Sequence, residues 1–198
     1  MSEKKRSKTQ RAILHAAKGL YEKKGVGGVP FDDIAEAAGV CRTTVFNHFA
    51  DAGELQQALA VSEIGELIDF GEQSKLKGIV LIYALLDKMI DDTANYPRVM
   101  ARLTNATILG GESGRVAEIE RLIARHYEVE FGKFSESASV SPGVLAQMTL
   151  GLYYGQVNHL LAYGLPFEAE KMRKDLRSML DFLLANMRLS RETELEKK

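Results

Sequence analysis

Apolar residues recur at three- and four-residue spacing along most of the chain, the period that gathers them on one face of an α-helix. In the stretch from Phe31 to Phe49, Ile34, Ala35 and Ala38 mark one short helix and Val45 and Phe49 a second, with Gly39 where the chain must bend. Beyond Asp51 the helical period is interrupted only by Pro97, Pro142, Pro166 and a few glycine or serine clusters. The spacing predicts helices over 51–71, 76–94, 97–109, 113–135, 142–163 and 166–189, and the fold class is all-α. At the N-terminus Ser7 and Gln10 suit a helix start, with Ser7 as the cap. Two late segments carry apolar stripes: Leu145, Met148, Leu152 and Leu160 on one, and Met172, Leu176, Met179, Leu180, Leu183 and Met187 on the other.

Two short helices joined by a glycine turn form a helix-turn-helix, whose second helix enters the major groove of DNA. Between the core positions Val45 and Phe49 and just before them lie Arg42, Thr43, Thr44, Phe46, Asn47 and His48. Arg bonds guanine O6 and N7 through two donors, Asn does the same with adenine, and Thr or Phe touches a thymine methyl. A solvated face on an ordinary helical hairpin has the same composition, so this segment alone leaves both readings open. Asp51 and Glu54 form a D-x-x-E capping box at the start of the next helix.

Arg11-Ala12-Ile13-Leu14, Ala16-Ala17, Leu20-Tyr21, Gly25, Ile34-Ala35, Ala38-Gly39-Val40 and Phe46-Asn47-His48-Phe49 closely resemble the N-terminal domain of the TetR family, over about the first sixty residues. The resemblance implies a three-helix DNA-binding head, then a connecting fourth helix and a helical body that dimerises and binds a small effector. It places base reading on Arg42, Thr43 and Asn47, backbone positioning on Thr44 and His48, and either role on Phe46. Four positions depart from the family pattern. Pro30 stands where relatives cap the second helix with Thr or Ser and touch a phosphate, Phe46 replaces a Tyr, and Gly53 replaces a Lys; each change weakens a phosphate anchor. Cys41, the single cysteine, takes the place of a Ser or Thr cap on the recognition helix. Compensating charge is expected from Lys4 to Lys8, either as an arm on the phosphate backbone or minor groove or as a solvated terminus.

Charge supports a two-part chain. Residues 1–50 hold nine Lys or Arg against five Asp or Glu, a balance of +4, whereas the remainder holds seventeen against twenty-two, a balance of −5. A near-neutral total thus conceals a basic head on an acidic body, the asymmetry of a protein that meets nucleic acid at one end. The expected domains are a helix-turn-helix head over 1–50 and an effector-binding and dimerisation body over 51–198. One cysteine makes no internal disulfide, and the basic N-terminus leads into an amphipathic helix rather than a signal sequence, so a cytoplasmic location is expected. The longest apolar stretch, from Gly78 to Leu86, falls short of the about 20 residues of a membrane helix.

For the body, the resemblance implies an effector site among the middle helices, with Tyr83, Met89, Met100, Arg102, Asn105, His126, Tyr127, Tyr154 and His159 as candidate lining. Met and Tyr at helical spacing are equally what a core contains. Few charges break the apolar runs, which favours a lipophilic or aromatic effector. Gly151-Leu152-Tyr153-Tyr154-Gly155 allows close approach of another helix, as in a four-helix bundle between two protomers. Such a homodimer would read a palindromic double-stranded operator. The four histidines lack metal-site spacing, and the i,i+4 pair His126 and Glu130 is more simply an ion pair than a metal site. Neither glycine cluster is a phosphate loop, and Cys41 and His48 sit two helical turns apart, so neither a cofactor nor catalysis is expected. The competing reading is a helical small-molecule- or metal-binding bundle without a DNA function.

Overall fold

A computed structural model describes residues 3–108, 113–131 and 140–195, with side chains over 8–103, 115–131 and 140–186. Among these residues there are nine α-helices and no strand: α1 (Glu3–Lys24), α2 (Phe31–Ala38), α3 (Arg42–His48), α4 (Ala52–Gln73), α5 (Gly78–Asn95), α6 (Pro97–Ile108), α7 (Ser113–Phe131), α8 (Pro142–Ala162) and α9 (Ala169–Leu195). The all-α expectation holds. The chain forms two compact units, one of residues 1–73 and 92–119, the other of residues 74–91 and 120–198.

In the first unit α1 packs on α2, α4 and α6, α2 packs on α3, and α4 packs on α6. The shared core is Ile13, Ala17 and Tyr21 from α1, Ile34 and Ala35 from α2, Val45 from α3 with Phe49 just after it, Leu55 and Leu59 from α4, and Val99 and Leu103 from α6. The carboxylate of Glu22 accepts from the backbone N–H groups of Arg98 (3.0 Å) and Val99 (3.2 Å), satisfying donors that the start of α6 leaves over. A buried ion pair joins α1 to α4: Lys18 Nζ donates to Glu63 Oε2 at 2.6 Å and lies 4.3 Å from the centroid of the Tyr96 ring. Burial raises the Glu63 carboxyl above its ordinary range, against the opposing pull of Lys18. Tyr21 is buried with no partner for its hydroxyl among the described residues, and burial pushes it up to about 12.

The second unit is built from the first part of α5, the second part of α7, α8 and α9. Tyr127 and Thr149 share a buried 2.6 Å hydrogen bond, and Tyr153 donates to the Met89 carbonyl at 3.2 Å. Arg173 of α9 pairs with Asp87 and Asp91 of α5, and Tyr83 is hydrogen bonded to Asp181.

Three sequence expectations change here. α1 begins at Glu3, so Ser7 lies inside the helix rather than at its cap; the preceding Glu, Lys, Lys and Arg are good helix formers and carry the helix past it. α9 begins at Ala169 rather than Pro166. Gly164, at φ 62°, closes α8 with its own N–H on Leu161 and that of Leu165 on Leu160, and a residue before proline avoids the helical region. The late apolar stripes divide as well. Leu145, Met172, Leu176 and Leu180 are buried together with Tyr153, Val157 and Leu184, whereas Met148 and Met179 are exposed. The side chain of Met187 lies outside the described residues.

Candidate nucleic-acid interface

The recognition unit is held from three directions. α2 starts after Pro30, whose φ of −65° precedes the helix with no side-chain cap, and Asp32 and Asp33 supply negative charge to the first turn. It ends at Gly39, in the left-handed conformation at φ 65°, where Gly39 N–H bonds Glu36 at 3.1 Å and Val40 N–H bonds Ala35 at 2.9 Å. That pattern is a Schellman closure, and it turns the chain directly into α3. On the far side, Asp51 Oδ1 accepts from Glu54 N–H at 2.9 Å, and Glu54 reaches back to the N–H of Ala50, one residue before Asp51.

α3 itself buries only Val45, with Phe49 buried just after it. Arg42, Thr43, Phe46 and Asn47 are exposed, and Thr44 and His48 are half-buried. Phe46, 45% exposed, is held by Phe31 of α2 at 4.9 Å between ring centroids. The Arg42 guanidinium lies 5.3 Å from the same ring and donates through Nη1 to Asp32 Oδ2 at 2.6 Å. The Thr44 hydroxyl is 3.0 Å from the Cys41 thiol. That contact, aided by backbone N–H groups of the first turn of α3, lowers the thiol's proton affinity. The helix therefore presents an exposed polar and aromatic row, partly braced by α2 through Asp32 and Phe31.

Sequence reasoning found the row but missed its brace. Asp32 stands out in the sequence only as a helix-start acid; its contact with Arg42, ten residues on, depends on how α2 packs on α3. In the basic N-terminal run Lys8 is exposed, while the side chains of Lys4, Lys5, Arg6 and Ser7 lie outside the described residues.

The effector candidates are distributed over both units. Met100 and Arg102 lie in the first, and the side chain of Asn105 is outside the described residues. In the second, Tyr127 and Met89 are buried, Tyr83 and Tyr154 are half-buried and His159 is exposed. His126 Nδ1 accepts from Gly78 N–H at 3.1 Å and Glu130 Oε2 accepts from Ile79 N–H at 3.3 Å, so this i,i+4 pair caps the start of α5. No group of three or more His, Cys, Asp or Glu suited to a metal occurs among the described residues. No described helix is long and apolar enough to cross a membrane.

Residues 13–59, which span the core of the head and all of α2 and α3, match the family of bacterial regulatory proteins described as the tetR family. The N-terminal head thus carries a tetR-family match, confined to these residues. No curated protein matches it significantly. Solved TetR-like structures share its fold along most of its length. A TetR transcriptional regulator from Rhodococcus sp. RHA1 is 18% identical with a TM-score of 0.62, covering 90% of this chain and 97% of that one. SmeT, the repressor of the Stenotrophomonas maltophilia multidrug efflux pump SmeDEF, is 18% identical with a TM-score of 0.62, covering 89% of each. The fatty acid degradation regulator FadR from Bacillus halodurans is 16% identical with a TM-score of 0.62, covering 86% and 96%. The exposed row on α3 lies within the residues that match the tetR-family model.

Proposed function

We propose that this protein is a homodimeric repressor of the TetR family that binds a palindromic operator and leaves it when a small molecule binds the body. The observation that carries the reading is the row Arg42, Thr43, Phe46 and Asn47, exposed on a helix braced by a TetR-family head. Arg42, Thr43 and Asn47 read bases, Thr44 and His48 position the backbone, and Phe46 packs on sugar or a thymine methyl. Residues 1–50 serve as head and 51–198 as effector and dimer body.

Dimerisation is supported by large apolar side chains left uncovered at the α8–α9 end of the second unit: Phe182 is 73% exposed and Tyr163 72%. Beside them, a groove of about 350 Å³ runs along α8 over Gly151, Leu152, Gly155, Gln156 and His159, where a second helix can approach closely. A twofold dimer sets two copies of α3 against successive half-sites. The effector is lipophilic or aromatic, met by residues drawn from Tyr83, Met100, Arg102, Asn105, His126, Tyr127 and Tyr154. SmeT and FadR, named for efflux of drugs and breakdown of fatty acids, fit this class. Release follows from linkage, since an effector that favours a head spacing unsuited to the operator is itself disfavoured by the operator to the same degree.

Selection of bound duplexes from a random pool tests the reading. The purified protein is expected to enrich an inverted repeat and to lose it when lipophilic or aromatic compounds are added. Asn47→Ala should weaken the selected site about tenfold or more while sparing random duplex. A monomer that enriches no sequence would overturn the proposal.

A further inference from the structure

Arg42 of α3 does not project alone. Its Nη1 is bonded to Asp32 of α2 at 2.6 Å, its guanidinium carbon sits 5.3 Å from the Phe46 ring, and that ring rests on Phe31 at 4.9 Å. Both members of the ion pair are more than half exposed, so the contact adds little to folding. Its effect is on geometry and on local charge. An arginine offers five N–H donors in a planar fork; with one Nη1 donor on a carboxylate, the Nε–Nη2 edge remains for the O6 and N7 acceptors of guanine. The neighbouring acid of the same turn, Asp33, is bonded to Lys24 of α1 at 2.5 Å and touches no residue of α3 in the contacts described.

We propose that Asp32 is a specificity-determining positioning residue of the DNA interface. It fixes the Arg42 fork toward a guanine, and its negative charge at the head surface suppresses indiscriminate phosphate binding by that arginine. Residue 32 thus sets base preference without touching a base. The inference rests on the proposed base-reading role of α3, and it predicts a guanine at one fixed position of each half-site.

Asp33 provides the internal control, because Asp32→Asn and Asp33→Asn remove the same charge from the same helical turn. Binding of each variant to the selected operator, to operators changed at the guanine, and to random duplex is measured over a salt series. Asp32→Asn is expected to tighten random duplex and to cut the preference for guanine at the Arg42 position about three- to tenfold, with preference elsewhere unchanged. Asp33→Asn should leave that preference intact, and neither variant should alter the unfolding midpoint by more than a surface change does. In an Arg42→Ala background, Asp32→Asn should have no further effect on base preference. If the two Asn variants behave alike while Arg42→Ala does lower the preference, Asp32 contributes charge only and the inference fails. If Arg42→Ala leaves the preference untouched, the reading of α3 fails with it.

Discussion

The first unit sets a largely polar row on a finished core; the second leaves its largest uncovered side chains apolar. In the first, Ile13, Ala17, Ile34, Val45 and Phe49 are all buried, and the exposed face of α3 holds one guanidinium, an amide, a hydroxyl and the Phe46 ring. In the second, Tyr127, Thr149 and Tyr153 use their polar groups internally, while Phe182, Tyr163, Met148 and Met179 face outward. A polar row on a finished core is what a ligand of fixed charge pattern meets. Large apolar side chains left open call for a second protein surface. The contrast supports the proposal that DNA meets one unit and a second copy of the chain meets the other.

The largest effect expected on the closed unit comes from Phe49→Ala, which empties a site that α1 to α4 all share and should destabilise by about 3–5 kcal/mol. Thermal unfolding should show it, and DNA binding should vanish along with the fold of the head; a loss under about 1 kcal/mol would mean that this core is not closed as described.

Next is the buried pair. Lys18→Ala strands Glu63 and should cost about 2–3 kcal/mol at neutral pH, somewhat less than a locked charge would because the carboxyl can take up a proton. Since Glu63 binds its proton more readily folded than unfolded, stability should fall as pH rises from the ordinary glutamate range through its raised value, and level off above it. Lys18→Ala should deepen that fall and Glu63→Gln should abolish it. Unfolding curves across that range check the sign, and a rise in stability with pH attributable to Glu63 would contradict the assignment.

The smallest effect belongs to the open unit. Phe182→Ser should leave monomer stability nearly unchanged but weaken the dimer by about 2 kcal/mol, roughly thirtyfold in Kd, as read by sedimentation equilibrium. Unchanged association would move the dimer contact away from this face.

Legibility followed the same division. The helices, the Gly39 turn and the outward row on α3 were readable because helical period and glycine geometry act within a few residues. The start of α8 at Pro142 was read for the same local reason, whereas the start of α9 was misplaced because Gly164 and Leu165 prolong the closure of α8 and delay the next helix. Contacts between helices were not readable. Asp32 with Arg42 and Lys18 with Glu63 each join residues whose meeting depends on how helices cross. The effector candidates show the remaining limit: buried Tyr127 and half-buried Tyr83 have the same composition signal, yet one bonds Thr149 and the other Asp181.

The start of α5 imposes a restriction of another kind. At Gly78, φ is 57° and an added Cβ would come within 2.8 Å of Glu130 Oε2, the atom that accepts from the next amide. An alanine at position 78 would therefore be strained by its backbone angle and would push aside the end of the Glu130 side chain, leaving His126 as the remaining fastening of the helix start.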